Sequence, residues 1–313
     1  MPLTMKYSQK TSVTVCILTH KRPYGLERLL SALTPQVQSK KRSVVVLNDG
    51  SHNEEYQKIV DQFSSIIEYQ SLNKNVGIAK ARNAVAKMAK NEFIVFIDDD
   101  CVPPPFWLDW VIALLDASPD LDVVAGITRP LLVEKPSFFS RVQAVHNFIP
   151  MPQRHRDQLT FVTANLAIRR SLFVDLGGFI TADDFPGAGE DTEFASRISR
   201  GSFSRKIDYN WFVFHEVGDG IWNNMKRYWR YGFGNIWMQQ FTTSPSFLDD
   251  SLKYLSYDKR FPHFLRAIRH RFHEARYQFP SKLQAVSSAF IASLLDASYR
   301  EGCRAARNMI RMK

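Results

Sequence analysis

Three consecutive aspartates follow a short apolar run, and they are the most informative chemical feature of the chain. Asp98, Asp99 and Asp100 end the run at residues 93–97, whose β-branched and aromatic members favour a buried strand over a helix. Carboxylates gathered at the end of a buried strand repel one another and lose hydration, so they need a cation or hydrogen-bond donors. Oxygen ligands suit a hard ion such as Mg²⁺ or Mn²⁺, which in turn holds phosphates. From this segment alone, a solvated acidic loop is the alternative.

A second acidic pair lies downstream, next to a loop rich in glycine and proline. Glu190 and Asp191 follow the loop at residues 185–189. A carboxylate at such a junction either caps the following helix or acts as a general base facing a hydroxyl group. His215 follows an apolar run at residues 211–214. A histidine there is either structural or completes the coordination of an ion held by the aspartates.

Apolar runs alternate with helical patterns, and this alternation must position the acidic residues. Strand-like runs occupy residues 13–18, 44–47, 66–69 and 93–97, with helical patterns near 26–33, 54–63 and 78–90. The alternation indicates an α/β fold with a parallel sheet covered on both faces. Ligands collect at the carboxyl ends of such strands, where Thr19, Asp49 and the three aspartates fall. Beyond residue 120 the alternation loosens, and from residue 222 the pattern is helical, aromatic and basic.

Two shorter segments at the same predicted edge could contact a nucleotide. Asp49 lies in an Asn-Asp-Gly turn, which forms without any function but offers a carboxylate to a base or ribose. Gly77 and Arg82 lie where the third helix opens, and its N-terminal amides with Arg82 could neutralise phosphate.

Taken in order, these segments resemble family 2 glycosyltransferases with the GT-A fold. The matching pieces are residues 17–22, 48–51, 75–77, 81–83, 98–100, 165–169, 177–179, 190–191 and 215–216. Each piece is common by itself, whereas their occurrence in this order across residues 13–216 is specific. Two departures, His20 and Asn48, fall in the nucleotide pocket of the family and leave the base open. The resemblance implies a Rossmann-like, nucleotide-binding mixed sheet flanked by helices, with a helical, basic C-terminal extension.

The resemblance also implies a role for each site residue. The nucleotide-sugar ligands would be Thr19, His20, Arg22, Asp49, Asn75, Gly77, Arg82, Asp98, Asp99 and Gly178. A divalent Mg²⁺ or Mn²⁺ ion on the donor diphosphate would be held by Asp100, His215 and Asp98. Asp191, with Glu190 as second candidate, would take the proton of an acceptor hydroxyl during a direct displacement with inversion. The donor would be a UDP- or dTDP-sugar, and the acceptor a glycan, a lipid-linked molecule or a small molecule.

Two other classes of protein fit parts of the pattern. A sugar-phosphate nucleotidyltransferase should carry a glycine-rich loop directly after the first strand, and residues 19–23 contain no glycine. A non-catalytic nucleotide-sugar-binding protein would not need Glu190 and Asp191 beside the triple aspartate. Both alternatives therefore rank behind an inverting, metal-dependent glycosyltransferase.

Charge is distributed unevenly along the 313 residues, whose net charge is +10. Residues 253–313 hold thirteen lysines and arginines against four acidic residues. Such a tail favours an anionic membrane surface or is simply a solvated helical face, and nucleic acid is not the expected partner.

Domain boundaries and compartment follow from the same patterns. We predict a catalytic domain over residues 1–220, with a nucleotide-binding half at about 10–120 and an acceptor half at about 121–220, and a helical extension over 221–313. The odd count of three cysteines, without metal-ligand spacing, favours a reduced compartment, with Cys16 in the core. The N-terminal residues are mixed and polar, so we expect a cytoplasmic protein, or one peripheral to the inner face of the membrane.

Overall fold

The computed structural model describes residues 10–132, 134, 136–147, 161–181, 188–217, 220–238, 240 and 260–312. Its strands are β1 Val13–Thr19, β2 Arg42–Asn48, β3 Ile67–Ser71, β4 Phe93–Asp98, β5 Cys101–Val102, β6 Val123–Leu131, β7 Leu166–Arg169 and β8 Arg205–Glu216. Its helices are α1 Pro23–Leu33, α2 Glu54–Phe63, α3 Ile78–Met88, α4 Trp107–Ala117, α5 Phe138–Asn147, α6 Arg170–Asp175, α7 Glu190–Arg200, α8 Ile221–Met238, α9 Arg260–Ala275 and α10 Lys282–Met312.

The chain divides into two compact units, each made of separate segments. The first contains residues 1–129, 159–181 and 197–215, and the second contains residues 130–158, 182–196 and 216–313. The boundary at residue 220 expected from the sequence stays a prediction.

The sheet has eight strands in the order β3-β2-β1-β4-β7-β6-β8-β5. β1 pairs in parallel with β2 and β4, and β2 pairs in parallel with β3. β7 is antiparallel to both β4 and β6, and β5 is antiparallel to β8. The parallel sheet expected from the alternation is therefore confirmed for β1–β4 only, and the whole is the mixed GT-A type of sheet.

The core of the first unit explains why its strands read as continuous apolar runs. Every residue of β1 except Leu18 is buried, and α1 covers one face with Leu26, Leu29, Leu30 and Leu33, which recur at helical spacing. Cys16 is 1 % exposed on the opposite face of β1, so its assignment to the core is confirmed. Burial raises the pKa of the Cys16 thiol well above its usual range, which keeps it unreactive.

The second unit contains α8, α9 and α10, and the helical C-terminal extension is confirmed for the residues described in this region. α8 and α10 touch backbone to backbone, since a Cβ on Gly232 would lie 1.9 Å from the Tyr299 carbonyl oxygen. A Cβ on Gly302 would lie 2.0 Å from the Trp229 carbonyl oxygen. Across the described ranges, no helix combines the length and the hydropathy needed to cross a bilayer.

Candidate active site

The three aspartates lie at the carboxyl end of β4, beside the end of β1. β4 ends at Asp98, and Asp99 and Asp100 are buried in the turn that follows. The chain then enters β5, where Cys101 pairs with His215 of β8. This pairing places His215 Nε2 at 3.3 Å from Asp100 Oδ1. The sequence analysis did not predict β5, because its pairing with β8 joins residues far apart in the chain.

Two arginines neutralise the acidic cluster. Arg22 Nη1 lies 2.5 Å from Asp100 Oδ2 and 3.1 Å from Asp99 Oδ1. Arg82 Nη2 lies 2.9 Å from Asp98 Oδ1; the Arg82 side chain is buried and that of Asp98 is partly exposed. The segment is therefore a buried, charge-compensated site, and the alternative of a solvated acidic loop is wrong.

A hydroxyl chain connects the turn after β1 to the aspartates. Tyr56 Oη accepts a hydrogen bond from the Arg22 amide and lies 2.9 Å from Thr19 Oγ1. Burial raises the pKa of Asp99 to about 7, although Arg22 and the Thr19 hydroxyl oppose the rise. Asp99 Oδ2 is buried and has no hydrogen-bond partner in the described part of the chain. Sequence reasoning missed Tyr56, because its apolar helical spacing in α2 indicates only a core residue.

The donor atoms at this edge fit a hard divalent cation. One ligand atom each from Asp100, Cys101 and His215 lie within 4.8 Å of one another. Burial and the neighbouring carboxylates raise the pKa of Cys101 well above its usual value, so it stays a thiol and is a poor ligand. Asp100 and His215 therefore remain as the candidate ligand pair. Asp99, the next residue in the chain, adds the Oδ2 atom that accepts no hydrogen bond from the described residues. Asp98 is engaged by Arg82, as described above.

A second group of predicted residues lies where β2 meets α3. Asp49 is 2 % exposed, and its carboxylate accepts hydrogen bonds from the amides of Val76 at 2.8 Å and Gly77 at 3.2 Å. His20 Nδ1–H donates to the Asp49 carbonyl oxygen at 2.7 Å, and Asn75 Nδ2 is 3.3 Å from the same ring nitrogen. Gly77 is the N-cap residue of α3 and has φ +89°, a conformation that favours glycine. Asp49 thus connects the turn after β2 to the segment before α3, and its contact with a base stays a prediction.

Gly178 lies in a backbone segment that is held from two sides. Asn83 of α3 exchanges two hydrogen bonds with the backbone of Phe179, and Arg197 donates to the carbonyl oxygens of Leu176 and Gly178. Gly178 has φ +67°, and a Cβ there would lie 2.5 Å from Asn83 Oδ1. Only glycine adopts this positive φ readily and also leaves room for the Asn83 side chain. Sequence reasoning missed Arg197, whose pattern is that of an ordinary surface cation on a helix.

Glu190 and Asp191 form the first turn of α7, in the second unit. Glu190 is 3 % exposed, and Asp191 Oδ1 accepts a hydrogen bond from the Thr192 amide at 2.7 Å. α7 begins at Glu190, so Asp191 lies inside the helix and is not its N-cap. Residues 185–187 of the preceding loop lie outside the described residues.

The segment that leads into α7 rests on α8. A Cβ on Gly234 would lie 1.8 Å from the Ala188 carbonyl oxygen, so the two backbones are in direct contact. Asn235 follows on α8 and donates to Tyr299 Oη at 2.6 Å, which connects α8 to α10. The start of α7 is therefore supported by the helical extension of the same unit.

Several known proteins are similar to this chain in sequence or structure. The family model "Glycosyl transferase family 2" matches residues 14–177. A glucosyl-dolichyl phosphate glucuronosyltransferase of Haloferax volcanii is 22 % identical over 67 % of this chain and 75 % of its own length. A pre-mycofactocin glycosyltransferase of Mycobacterium tuberculosis is 28 % identical over 59 % of this chain and 38 % of its own length.

Among solved structures, the mannosyltransferase PcManGT from Pyrobaculum calidifontis, in complex with GDP-Man and Mn²⁺, superposes with a TM-score of 0.57. The match covers 97 % of this chain and 80 % of that chain at 18 % identity, and it supports the GT-A fold. The family match spans more than half of the chain and includes the end of β1, the Asp49 turn and the three aspartates. The chain belongs to glycosyl transferase family 2.

Proposed function

We propose that this glycosyltransferase is inverting and metal-dependent, and that it moves a sugar from a nucleoside diphosphate sugar to an acceptor hydroxyl. The observation that carries the proposal is the pair Asp100–His215 at 3.3 Å beside the buried Asp99. A divalent cation held by Asp100 and His215, with Asp98 as a further candidate, would supply Lewis-acid stabilisation of the leaving diphosphate. Arg22 and Arg82 add fixed positive charge at the same edge of the sheet.

We assign the removal of the acceptor's hydroxyl proton to Asp191, with Glu190 as the second candidate base. A base at the start of α7 sits on a rigid element, which is how catalytic carboxylates are best positioned. Direct displacement needs no covalent sugar–enzyme intermediate, so the product should have the inverted anomeric configuration.

A donor screen tests the proposal. UDP-sugars, dTDP-sugars and, because of the Pyrobaculum structure, GDP-mannose are offered with Mn²⁺ or Mg²⁺ or with a chelator, and nucleotide release is followed. We expect one donor class to be hydrolysed slowly only when metal is present, and NMR of a transfer product to show inversion. Release of pyrophosphate from a nucleoside triphosphate and a sugar 1-phosphate would favour a nucleotidyltransferase instead. Donor binding without any turnover would favour the non-catalytic alternative.

The acceptor and compartment are proposed from the relatives and from the charge distribution. The Haloferax relative is, by its name, a glucosyl-dolichyl phosphate glucuronosyltransferase, so a lipid-linked acceptor comes first, before a free glycan or a small molecule. A cytoplasmic enzyme that binds the inner face of the membrane would meet such an acceptor.

Replacing Arg22 by glutamine should destabilise the protein without metal and strengthen metal binding. The change removes a cation from two buried carboxylates, and unpaired buried charge is costly. We expect a melting temperature several degrees lower in chelator and a Mn²⁺ affinity on the order of tenfold tighter, measured by thermal shift and calorimetry. Lys21→Gln is the matched control, because it removes an exposed neighbouring charge. Equal behaviour of the two variants would contradict compensation by Arg22.

Replacing Gly234 by alanine should lower kcat by roughly 10- to 100-fold without weakening donor binding. The new Cβ would collide with the Ala188 carbonyl oxygen, and a shift of about 1 Å in a catalytic group costs up to 10²-fold. Gly302→Ala is the control: its Cβ meets the Trp229 carbonyl oxygen and perturbs α8–α10 packing away from Ala188. If both variants lose the same kcat at the same loss of melting temperature, general helix packing explains the effect.

A further inference from the structure

One face of α10 carries exposed apolar side chains over its first half. Leu283, Val286 and Phe290 are 76 %, 47 % and 46 % exposed, and their spacing of three and four residues places them in one stripe. Leu294 and Ala297 continue the stripe at the same spacing. At 1.5 Å per residue the stripe runs for roughly 20 Å along the helix. The buried face of α10, with Ala285, packs instead against α5 and α9.

The stripe leads into a groove of about 900 Å³ between α8 and α10. Leu294 and Ala297 line one side of the groove, and Trp229, with its ring partly exposed, lines the other. The apolar surface is therefore continuous from the exposed face of α10 into the groove.

The α8 side of the groove is strongly basic. Lys226, Arg227 and Arg230 all line it, and none of the three forms an ion pair with a carboxylate of the described residues. Glu301 is the acidic residue of the lining, and it is paired with Arg304. The groove thus presents uncompensated positive charge at the end of an apolar track.

We propose that this groove binds a phosphorylated lipid, with its phosphate at Lys226, Arg227 and Arg230 and its chain along the α10 stripe. A free phosphate would use the cations but leave the stripe in water, where it gains nothing from apolar burial. A nucleic acid would need more cations and stacking rings than one tryptophan supplies. The binding site lies within the second unit and does not depend on the donor chemistry proposed above.

Vesicle binding by the full chain tests the proposal. The probes are vesicles of phosphatidylcholine with phosphatidic acid and vesicles of phosphatidylcholine alone, with inorganic phosphate and single-stranded RNA as competitors. We expect binding to the phosphatidic acid vesicles only. The triple variant Lys226→Gln, Arg227→Gln, Arg230→Gln should bind on the order of 100-fold more weakly, at roughly fivefold for each cation near an anionic surface. Leu283→Ser with Phe290→Ser should also weaken binding, because it shortens the apolar track.

A matched triple variant separates the groove from the general charge of the tail. Arg269→Gln, Arg276→Gln and Arg311→Gln remove the same charge from exposed positions of α9, the residue after it and α10, and this variant should keep its vesicle binding. An equal loss of vesicle binding in both triple variants would overturn the groove as the binding site, because net charge alone would then explain binding. Displacement of vesicles by inorganic phosphate or RNA at matched phosphate concentration would overturn the lipid as ligand. Thermal melting of every variant shows that the loss is not due to unfolding.

Discussion

Replacing Asp191 by asparagine will lower kcat by about 10²–10⁴-fold and leave donor affinity nearly unchanged. Loss of a general base typically has this magnitude. Asparagine keeps the Oδ1 acceptor that takes the Thr192 amide at 2.7 Å, so the first turn of α7 should form as before. The amide cannot take a proton, whereas binding of the nucleotide does not use it. Steady-state kinetics combined with calorimetric titration of the donor separates the two effects.

Two further variants of α7 assign the role of Asp191. Glu190→Gln tests the second candidate base, and it should lower kcat much less than Asp191→Asn does. Glu193→Gln removes a buried carboxylate from the same first turn and controls for the loss of negative charge at the helix N-terminus. If Glu190→Gln loses more activity than Asp191→Asn, the base is Glu190. Activity of Asp191→Asn within threefold of the unchanged enzyme would remove it as the base.

The parts of the fold that depend on local pattern were predictable from the sequence. α2 was expected at residues 54–63 and spans Glu54–Phe63, because its apolar spacing is helical and Asn53 caps it. β4 ends at Asp98 because a run of apolar, β-branched and aromatic residues stops where the carboxylates begin. Placing both Asp49 and Asp98 at one edge also followed from the general rule for parallel strands.

The parts of the site that depend on distant pairing were not predictable from local pattern. His215 reaches Asp100 only because β5 and β8 pair, and two residues of strand leave no periodic signal. Arg22 reaches Asp99 and Asp100 after a turn in which Lys21 has φ +57°, a conformation that non-glycine residues rarely adopt. Asn165 was one of the pieces of the family resemblance, yet its side chain bonds Trp107 Nε1 and the Trp211 carbonyl oxygen. Its role in this structure is packing.

Replacing Asp100 by asparagine will weaken metal-dependent nucleotide binding by on the order of 100-fold or more. Changes in the residues that only orient a metal ligand already lower metal affinity 10- to 100-fold, and Asp100, whose Oδ1 lies 3.3 Å from His215 Nε2, is proposed as a direct ligand. The variant also loses its charge pair with Arg22, so the affinity must be compared with a variant that loses an equivalent pair elsewhere. Asp109→Asn is that control, because Asp109 pairs with Arg42 at 2.5 Å and lies on α4.

Titration of a nucleoside diphosphate with and without Mn²⁺ separates the loss of a metal ligand from the loss of the charge pair with Arg22. For Asp100→Asn we expect binding in the presence of Mn²⁺ to fall to the level seen in chelator, whereas Asp109→Asn should keep its full response to Mn²⁺. His215→Asn should lose less than Asp100→Asn, because imidazole is a weaker ligand than carboxylate for Mg²⁺ and Mn²⁺. An unchanged Mn²⁺ response in Asp100→Asn would place the cation elsewhere, and Asp98 would then be the residue to change.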